Sequence, residues 1–437
     1  MRRRRIQIGV IGLALAGLAS GLLAKTPDAG ALPARGSAAF ETYQDGNVLV
    51  GFRHARADER HTIEARAGAS EVGPLGAGAY LLHVRPGQVL RAVTALRAQP
   101  GVRYAEPDYL MHLAATPNDP SFGQQWGLRN TGQLVNGIKG TPGADINATA
   151  AWNVEIDSRA VVVAELDSGV DYNHPDLAAN VWTNPGGVGG CPAGTHGYNV
   201  VANTCEPMDD YGHGTQVAGV LGAVGDNSVG IAGVAWRATI LPVKWTDSAG
   251  HGSTFRLIRA LDWALKAKAA GINVRVVNDS AVFAGTSFSQ ALSDEIDKLA
   301  ANNVLFVTAA GNNRNDNDVT PKYPCSYGKA NEVCVAATEQ HDRLASFSNW
   351  GATTVDLAAP GKNILTTVMG GGYGYTTGTS FAVPLVAGAA ALAVSVQDMS
   401  TSALRARILG GVDTLPSFAG KVRSGGRLDL CKAVPGC

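Results

Sequence analysis

The sequence has no excess of charge of either sign: its 437 residues include 36 Lys and Arg and 36 Asp and Glu. A chain with balanced charge lacks the attraction that draws basic proteins to nucleic acids and acidic membranes, so neither is expected as a main partner. Beyond residue 30 it also lacks an apolar run long enough to span a bilayer. The best candidate, residues 385–394, is predicted to be a buried helix.

The N-terminus is typical of an export signal. Residues 2–5 are all arginine, and residues 8–23 are apolar and rich in Gly and Ala. This pattern predicts a secretory signal peptide over residues 1–24, and hence secretion to the exterior or the periplasm. The alternative is an uncleaved anchor, although the apolar run is short for a membrane span.

The six cysteines contain no Cys-x-x-Cys pattern, which weighs against a metal site. They fall into three close pairs: Cys191 with Cys205, Cys325 with Cys334, and Cys431 with Cys437. An even number of cysteines in an exported chain favours disulfides. Six cysteines allow many connectivities, so the prediction of these three local pairs rests on proximity alone.

Three short motifs carry the chemistry. They are Asp167-Ser168-Gly169, His213-Gly214-Thr215 and Gly378-Thr379-Ser380. In chain order they supply an acid, a base and a nucleophile, which is one of the known orders of a catalytic triad. A lipase or esterase of the α/β-hydrolase type is disfavoured, because its triad has another order and the chain has no Gly-x-Ser-x-Gly elbow.

Each predicted catalytic residue has a distinct role. His213 would accept the Ser380 proton and later pass it to the leaving group, while Asp167 would orient the imidazole and stabilise its charged form. Asn312 follows Ala309-Ala310-Gly311 and offers a side-chain amide. That amide and the Ser380 backbone N–H would bind the oxyanion. Ser380 is expected to open a helix.

Strand and helix patterns alternate through the larger part of the chain. Strands are predicted at 160–166, 240–244, 274–278 and 304–309, and helices at 216–224, 254–270, 290–302 and 381–396. The alternation predicts an α/β fold with a doubly wound, mostly parallel sheet and helices on both faces. Ligands of such sheets bind beyond the carboxyl ends of the strands, where Asp167 and Asn312 are expected.

A smaller unit precedes this domain. Strands are predicted at 47–52, 80–84 and 102–109, and a helix at 89–96. This alternation indicates a small α+β unit.

Together these motifs resemble the subtilisin-like serine peptidases. The resemblance rests on residues 161–177, 212–219, 309–312 and 378–388 and covers roughly residues 117–434. It implies a serine endopeptidase made as a zymogen, with a linker and ferredoxin-like inhibitory propeptide over 25–114 and a catalytic domain over 115–437. Its partners would be peptide substrates and its own propeptide, without stable membrane association, and it would be a monomer.

The resemblance also implies a structural calcium ion and a substrate groove. The calcium ligands would be the side chains of Asp119, Asp176 and Asn227 and the carbonyls of Gly225, Val229 and Ile231, all hard oxygen donors. The alternative is a turn without an ion. A substrate strand would lie between two backbone edges. The residues of these edges, with one nearby glycine, are Gly250, His251, Gly252, Ser280, Ala281, Val282 and Gly311.

Some positions depart from the family pattern. Val282 stands where the family usually has Gly, and Phe381 follows the nucleophile in place of a frequent Met. Glu165 places a carboxylate in a strand that should be buried, which is unfavourable unless the group is paired or protonated. None of these changes removes a catalytic group. A catalytically silent binding scaffold of the same fold is the alternative function, and the complete triad favours the peptidase.

Overall fold

The computed structural model describes residues 43–53, 56–109, 115–283 and 285–437. The expected signal peptide over residues 1–24 lies outside these residues, as does the first part of the expected linker.

A four-stranded antiparallel sheet and two helices form the N-terminal unit, with strand order β2-β3-β1-β4. The elements are β1 Tyr43–Phe52, α1 Ala57–Arg66, β2 Ala69–Pro74, β3 Ala79–Val84, α2 Val89–Arg97 and β4 Val102–Tyr109. Helix α2 packs the apolar stripe of Val89, Val93 and Leu96 onto Val48 and Val50 of the sheet. The sequence patterns missed α1, because it has no such stripe, and they also missed β2.

The larger part of the chain is built on a mostly parallel sheet whose main order is β17-β18-β14-β12-β11-β10-β7-β9-β8. Its strands and two small hairpins are β5 Leu134–Val135, β6 Ile138–Lys139, β7 Asp157–Asp167, β8 Tyr198–Asn199, β9 Arg237–Lys244, β10 Val274–Asp279, β11 Leu305–Ala309, β12 Glu332–Glu339, β13 Arg343–Leu344, β14 Leu357–Pro360, β15 Ile364–Val368, β16 Gly372–Thr376, β17 Val412–Thr414 and β18 Gly426–Leu428. The helices are α3 Ala148–Ala151, α4 His213–Gly222, α5 Thr254–Ala269, α6 Gln290–Ala301, α7 Val383–Val396, α8 Thr401–Gly410 and α9 Leu430–Ala433.

The two faces of this sheet are buried in separate apolar cores. Along β7, Val161 and Val163 point into the core that contains α4 and α7, while Val162 and Leu166 point into the core that contains α5 and α6. Successive side chains of a strand alternate between faces, so a strand covered on both sides is apolar throughout. The doubly wound α/β class, with its small α+β N-terminal unit, is therefore confirmed.

Helix α7 is apolar on all sides. Contrary to the expectation that no run beyond residue 30 is long enough, the stretch Thr379–Val396 could cross a membrane by length and composition, but 89% of it is buried within the protein. It is a core helix, as predicted from residues 385–394, and it lies directly behind the nucleophile segment.

Candidate active site

The acid and the base meet at the carboxyl edge of the sheet. Asp167 is the last residue of β7 and His213 is the first residue of α4. His213 Nδ1 lies 2.8 and 2.9 Å from the two carboxylate oxygens of Asp167. Burial lowers the pKa of His213, but the charge of Asp167 and this hydrogen bond outweigh it, and the pKa rises above its usual 6.5. The contact assigns the ring proton to Nδ1 and leaves Nε2 as the basic atom.

Two further side chains hold this pair in place: Ser168 of the first motif, and Asp209, which the motifs did not single out. Asp209 accepts hydrogen bonds from Ser168 Oγ at 2.8 Å and from Thr215 N at 2.9 Å. Ser168 Oγ in turn accepts from Gly214 N at 2.9 Å. These bonds satisfy free amides of the first turn of α4 and tie it to the end of β7. The sequence feature that could have identified Asp209 is its position, because it is an acidic residue shortly before the start of α4.

Ser380 lies in a 3₁₀ turn, Thr379–Phe381, and not in the first turn of α7 as expected. The α-helix begins only at Val383 because Pro384 has no amide hydrogen and fits the first helical turn. Ser380 Oγ donates to the carbonyl oxygen of Ser280 at 2.8 Å, and Ser280 Oγ donates to the carbonyl oxygen of Ser380 at 2.9 Å. Transfer of the Ser380 proton to His213 therefore requires the hydroxyl to leave Ser280.

Asn312 is oriented by the residue before the nucleophile. Its Oδ1 accepts from Thr379 N at 2.8 Å and from Thr379 Oγ1 at 3.0 Å. With the oxygen held in this way, the amide nitrogen remains available as a donor. Asn312 Nδ2 lies 3.6 Å from the position that a Cβ on Gly378 would occupy, so it stands beside the nucleophile turn. The arrangement can bind a negative oxygen.

The predicted substrate edges border a cleft around His213. One cavity of about 220 Å³ is lined by Gly250, Ser280, Ala281 and Val282 together with Asp167, Tyr211, His213, Trp245 and Thr246. Gly252 packs so closely on Trp245 that a Cβ there would lie 2.1 Å from the ring. His251 is exposed beside Gly250. A Cβ on Gly311 would lie 3.7 Å from Val282 Cγ1, so Gly311 lies next to the Val282 side chain.

A second cavity of about 490 Å³ opens on the other part of the site. It is lined by Tyr211, Gly212, His213, Gln216, Asn312, Thr376, Thr377, Gly378, Ser380 and Phe381. The ring centroids of His213 and Phe381 lie 5.5 Å apart. The two cavities share Tyr211 and His213, so both border the base.

The side chains expected to bind calcium come together in a loop cluster. Asp119 Oδ2 accepts from Asp226 N, and Asp176 Oδ1 accepts from Asn227 Nδ2, both at 2.8 Å. Burial raises the pKa of both carboxyls, and the charge of Asp176 raises that of Asp119 further. Nearby buried carboxylates with amide and loop carbonyl oxygens are a donor set that suits a hard dication. Gly225, Val229 and Ile231 belong to the same loop, and Ile231 N donates to Asp176 Oδ2 at 3.0 Å.

Glu165 has no hydrogen-bond partner among the described residues. It is 1% exposed, and neither carboxylate oxygen is hydrogen-bonded there. Burial raises its pKa well above 4.5, and the charges of Asp167 and Asp209 raise it further. Burial therefore favours the protonated, neutral form of Glu165, which would remove the cost of a buried charge in the sheet.

A hydroxyl, an imidazole bonded to a carboxylate and a side-chain amide at the carboxyl edge of a doubly wound sheet are typical of a serine-peptidase site. Comparison with known families agrees with this class. The subtilase family (Peptidase_S8) matches residues 158–418, and the fervidolysin N-terminal prodomain matches residues 32–108. The chain therefore belongs to the subtilase family and is a subtilisin-like serine protease with a propeptide domain.

Several relatives match most of this chain. It is 35% identical to the thermophilic serine proteinase of Bacillus sp. (strain AK1), over 90% of this chain and 88% of that protein. It is also 35% identical to thermitase of Thermoactinomyces vulgaris, over 73% of this chain and 99% of that protein. A solved protease from Pseudoalteromonas arctica superposes with a TM-score of 0.61 at 27% identity, covering 73% of this chain and 99% of that one.

Proposed function

We propose that the protein is a secreted serine endopeptidase, made as a zymogen, that cleaves peptide bonds through an acyl-enzyme on Ser380. The observation that carries this proposal is the contact between His213 Nδ1 and Asp167, in a cavity that Ser380 also lines. It supports an imidazole whose Nε2 can take a proton from Ser380. Asn312, held by Thr379, supports an oxyanion site beside the same serine.

The reaction follows from these positions. Ser380 Oγ attacks the peptide carbonyl carbon as its proton passes to His213 Nε2, and the carbonyl oxygen becomes an oxyanion bound by Asn312 Nδ2 and the Ser380 N–H. His213 then gives the proton to the amide nitrogen, the C–N bond breaks, and the acyl group remains on Ser380. Water then attacks the acyl carbon while His213 accepts its proton. His213 returns this proton to Ser380 Oγ, the ester bond breaks, and the carboxylic acid product is released.

Labelling of the nucleophile separates the peptidase from a silent scaffold. An organofluorophosphonate should modify the mature protein at Ser380 alone, because Ser380 is the proposed nucleophile and lines the same cavity as the His213 imidazole. Ser380→Ala should abolish both labelling and casein cleavage, whereas Ser402→Ala, at an exposed position of α8, should retain both. Casein cleavage by Ser380→Ala at the native rate would show that the proposed nucleophile is wrong.

We further propose that Asp119, Asp176 and Asn227, with the carbonyls of Gly225, Val229 and Ile231, hold a structural Ca²⁺. When bound, the ion would supply charge neutralisation for the two carboxylates. The propeptide is expected to be cleaved within residues 112–116, which leaves Asp119 on the mature chain. Residues 112–114 of this segment lie outside the described residues.

The calcium proposal has its own test. A ligand that binds only the folded state stabilises it by about 2.7 kcal/mol at a hundredfold excess over Kd. A chelator should therefore lower the melting temperature of the mature protein, and Asp119→Ala and Asp176→Ala should each lower it without any further effect of chelator. A melting temperature that is indifferent to chelator, or a mature N-terminus beyond Asp119, would contradict this site.

A further inference from the structure

A separate group of metal-binding side chains lies in the N-terminal unit, between α1 and β2. His61, Glu64 and Glu71 each offer one ligand atom, and these atoms all lie within 4.8 Å of one another. His61 and Glu64 are three residues apart in α1 and so share one face of the helix. His61 Nδ1 lies 3.1 Å from Glu64 Oε2. Glu71 completes the group from the neighbouring strand β2.

The burial of Glu64 is the unusual feature of this group. Its side chain is 3% exposed, and it is the one fully buried residue of α1. Glu64 Oε1 has no hydrogen-bond partner among the described residues, and neither does the buried Glu71 Oε2. Short helices are normally held to a domain by apolar packing, yet α1 turns a carboxylate inward. A cation beside such a carboxylate offsets the cost of its desolvation.

The backbone of β2 brings its carboxylate to the same point. Strand β2 is an edge strand, and its pairing with β3 shifts register between Glu71 and Gly73. A bulge of this kind redirects the side chains next to it. Glu71 of β2 thereby lies in one group with His61 and Glu64 of α1.

The charge of the group remains negative without a metal. Arg60 Nε lies 3.7 Å from Glu71 Oε2, and its guanidinium group also lies over the Tyr80 ring at 4.5 Å. Arg60 therefore offsets one of the two carboxylates. When the imidazole is neutral, the second carboxylate leaves the group with a net negative charge, which attracts a dication.

The donor types select the metal. One imidazole nitrogen and two carboxylate oxygens form a three-ligand set suited to Zn²⁺, whereas Ca²⁺ and Mg²⁺ prefer oxygen ligands alone. The His61 side chain is 65% exposed, so solvent reaches the site and water can complete the coordination. We propose that His61, Glu64 and Glu71 bind a single Zn²⁺ that ties α1 to the edge strand β2 of the propeptide.

The experiment uses the full chain carrying Ser380→Ala, which prevents self-cleavage. The protein is freed of metal, transferred to buffer with excess Ca²⁺ to fill other oxygen sites, and titrated with Zn²⁺ against a chromophoric chelator. The parent should take up a single equivalent more than the variant that also carries His61→Ala. His83→Ala, at another exposed histidine of the same unit, is the matched control and should bind as the parent does.

Two further measurements keep the test decisive. Zn²⁺ should raise the melting temperature of the propeptide unit in the parent and in His83→Ala, but not in His61→Ala. Glu71→Gln, on the edge strand, should lose the site even if a change at the buried Glu64 prevents folding. Equal zinc uptake by the parent and His61→Ala would overturn the proposal, and would leave His61 and Glu64 as a proton-dependent ion pair only.

Discussion

Glu165 provides a test of whether a buried carboxyl in the sheet is neutral. Its pKa is raised in the folded protein, first by burial and then by the charges of Asp167 and Asp209. Between 4.5 and this raised value, the folded state keeps a proton that the unfolded state has released. Stability must therefore fall as pH rises through this window, and it levels off above the folded pKa.

The magnitude follows from the linkage of a single proton. Each pH unit within the window lowers the free energy of unfolding by about 1.4 kcal/mol. Glu165→Gln keeps the shape of the side chain and removes the titration. The variant should therefore become more stable than the native protein, by an amount that grows with pH at this slope. Glu165→Leu should show the same slope, because it also lacks the carboxyl.

Denaturant unfolding of chains that also carry Ser380→Ala measures this effect without self-digestion. The difference between Glu165→Gln and its parent is followed at several values between about pH 5 and pH 8. Asp294→Asn removes an exposed carboxylate from α6 and should not reproduce the slope. A difference that stays constant with pH would refute the neutral carboxyl, and a variant that loses stability as pH rises would mean that ionised Glu165 has a stabilising partner.

Three further outcomes are expected. Asn312→Leu should lower kcat by about 10²–10³ with little change in KM, because the bond to the oxyanion forms mainly in the transition state. The control Asn313→Leu should leave kcat unchanged. A higher KM with an unchanged kcat would assign Asn312 to substrate binding instead. The value of kcat/KM should decline as pH falls through the His213 pKa, which lies above 6.5, since the base must be neutral. Asp167→Asn should lower this pKa, so that the remaining activity declines at a lower pH. A pH profile that does not shift would exclude the coupling of Asp167 to His213. Intact mass and non-reducing peptide maps should show no free thiol and the three local disulfides; any bridge between these regions would contradict them.

Sequence patterns predicted the elements that carry the motifs. Strand β7 and helix α5 have strong periodicity and clear ends, so their type and approximate limits could be predicted. Strands β12 and β14, of 8 and 4 residues, were missed, since an apolar run of such length does not by itself distinguish a strand from a buried helix. In the N-terminal unit, α1 was missed because its inward residue is a glutamate.

Contacts between distant residues could not be predicted. The bond from Thr379 to Asn312 joins positions 67 residues apart, and the bonds between Ser280 and Ser380 span 100 residues. Such pairs leave no local pattern, because they depend on the order of the strands and on the exact start of α7. The motifs identified the reacting groups, whereas the hydrogen bonds that orient them depend on the assembled sheet edge.

The bond from Ser380 to the Ser280 carbonyl has a consequence for substrate choice. A peptide that adds a strand along residues 280–282 would present N–H groups to this edge, and an N–H that bonds Ser280 would displace the serine hydroxyl. Arrival of a peptide backbone would then free the nucleophile at the moment when it is needed. Small esters without a suitably placed N–H would leave the hydroxyl on Ser280, so the resting bond would favour peptide substrates over simple esters.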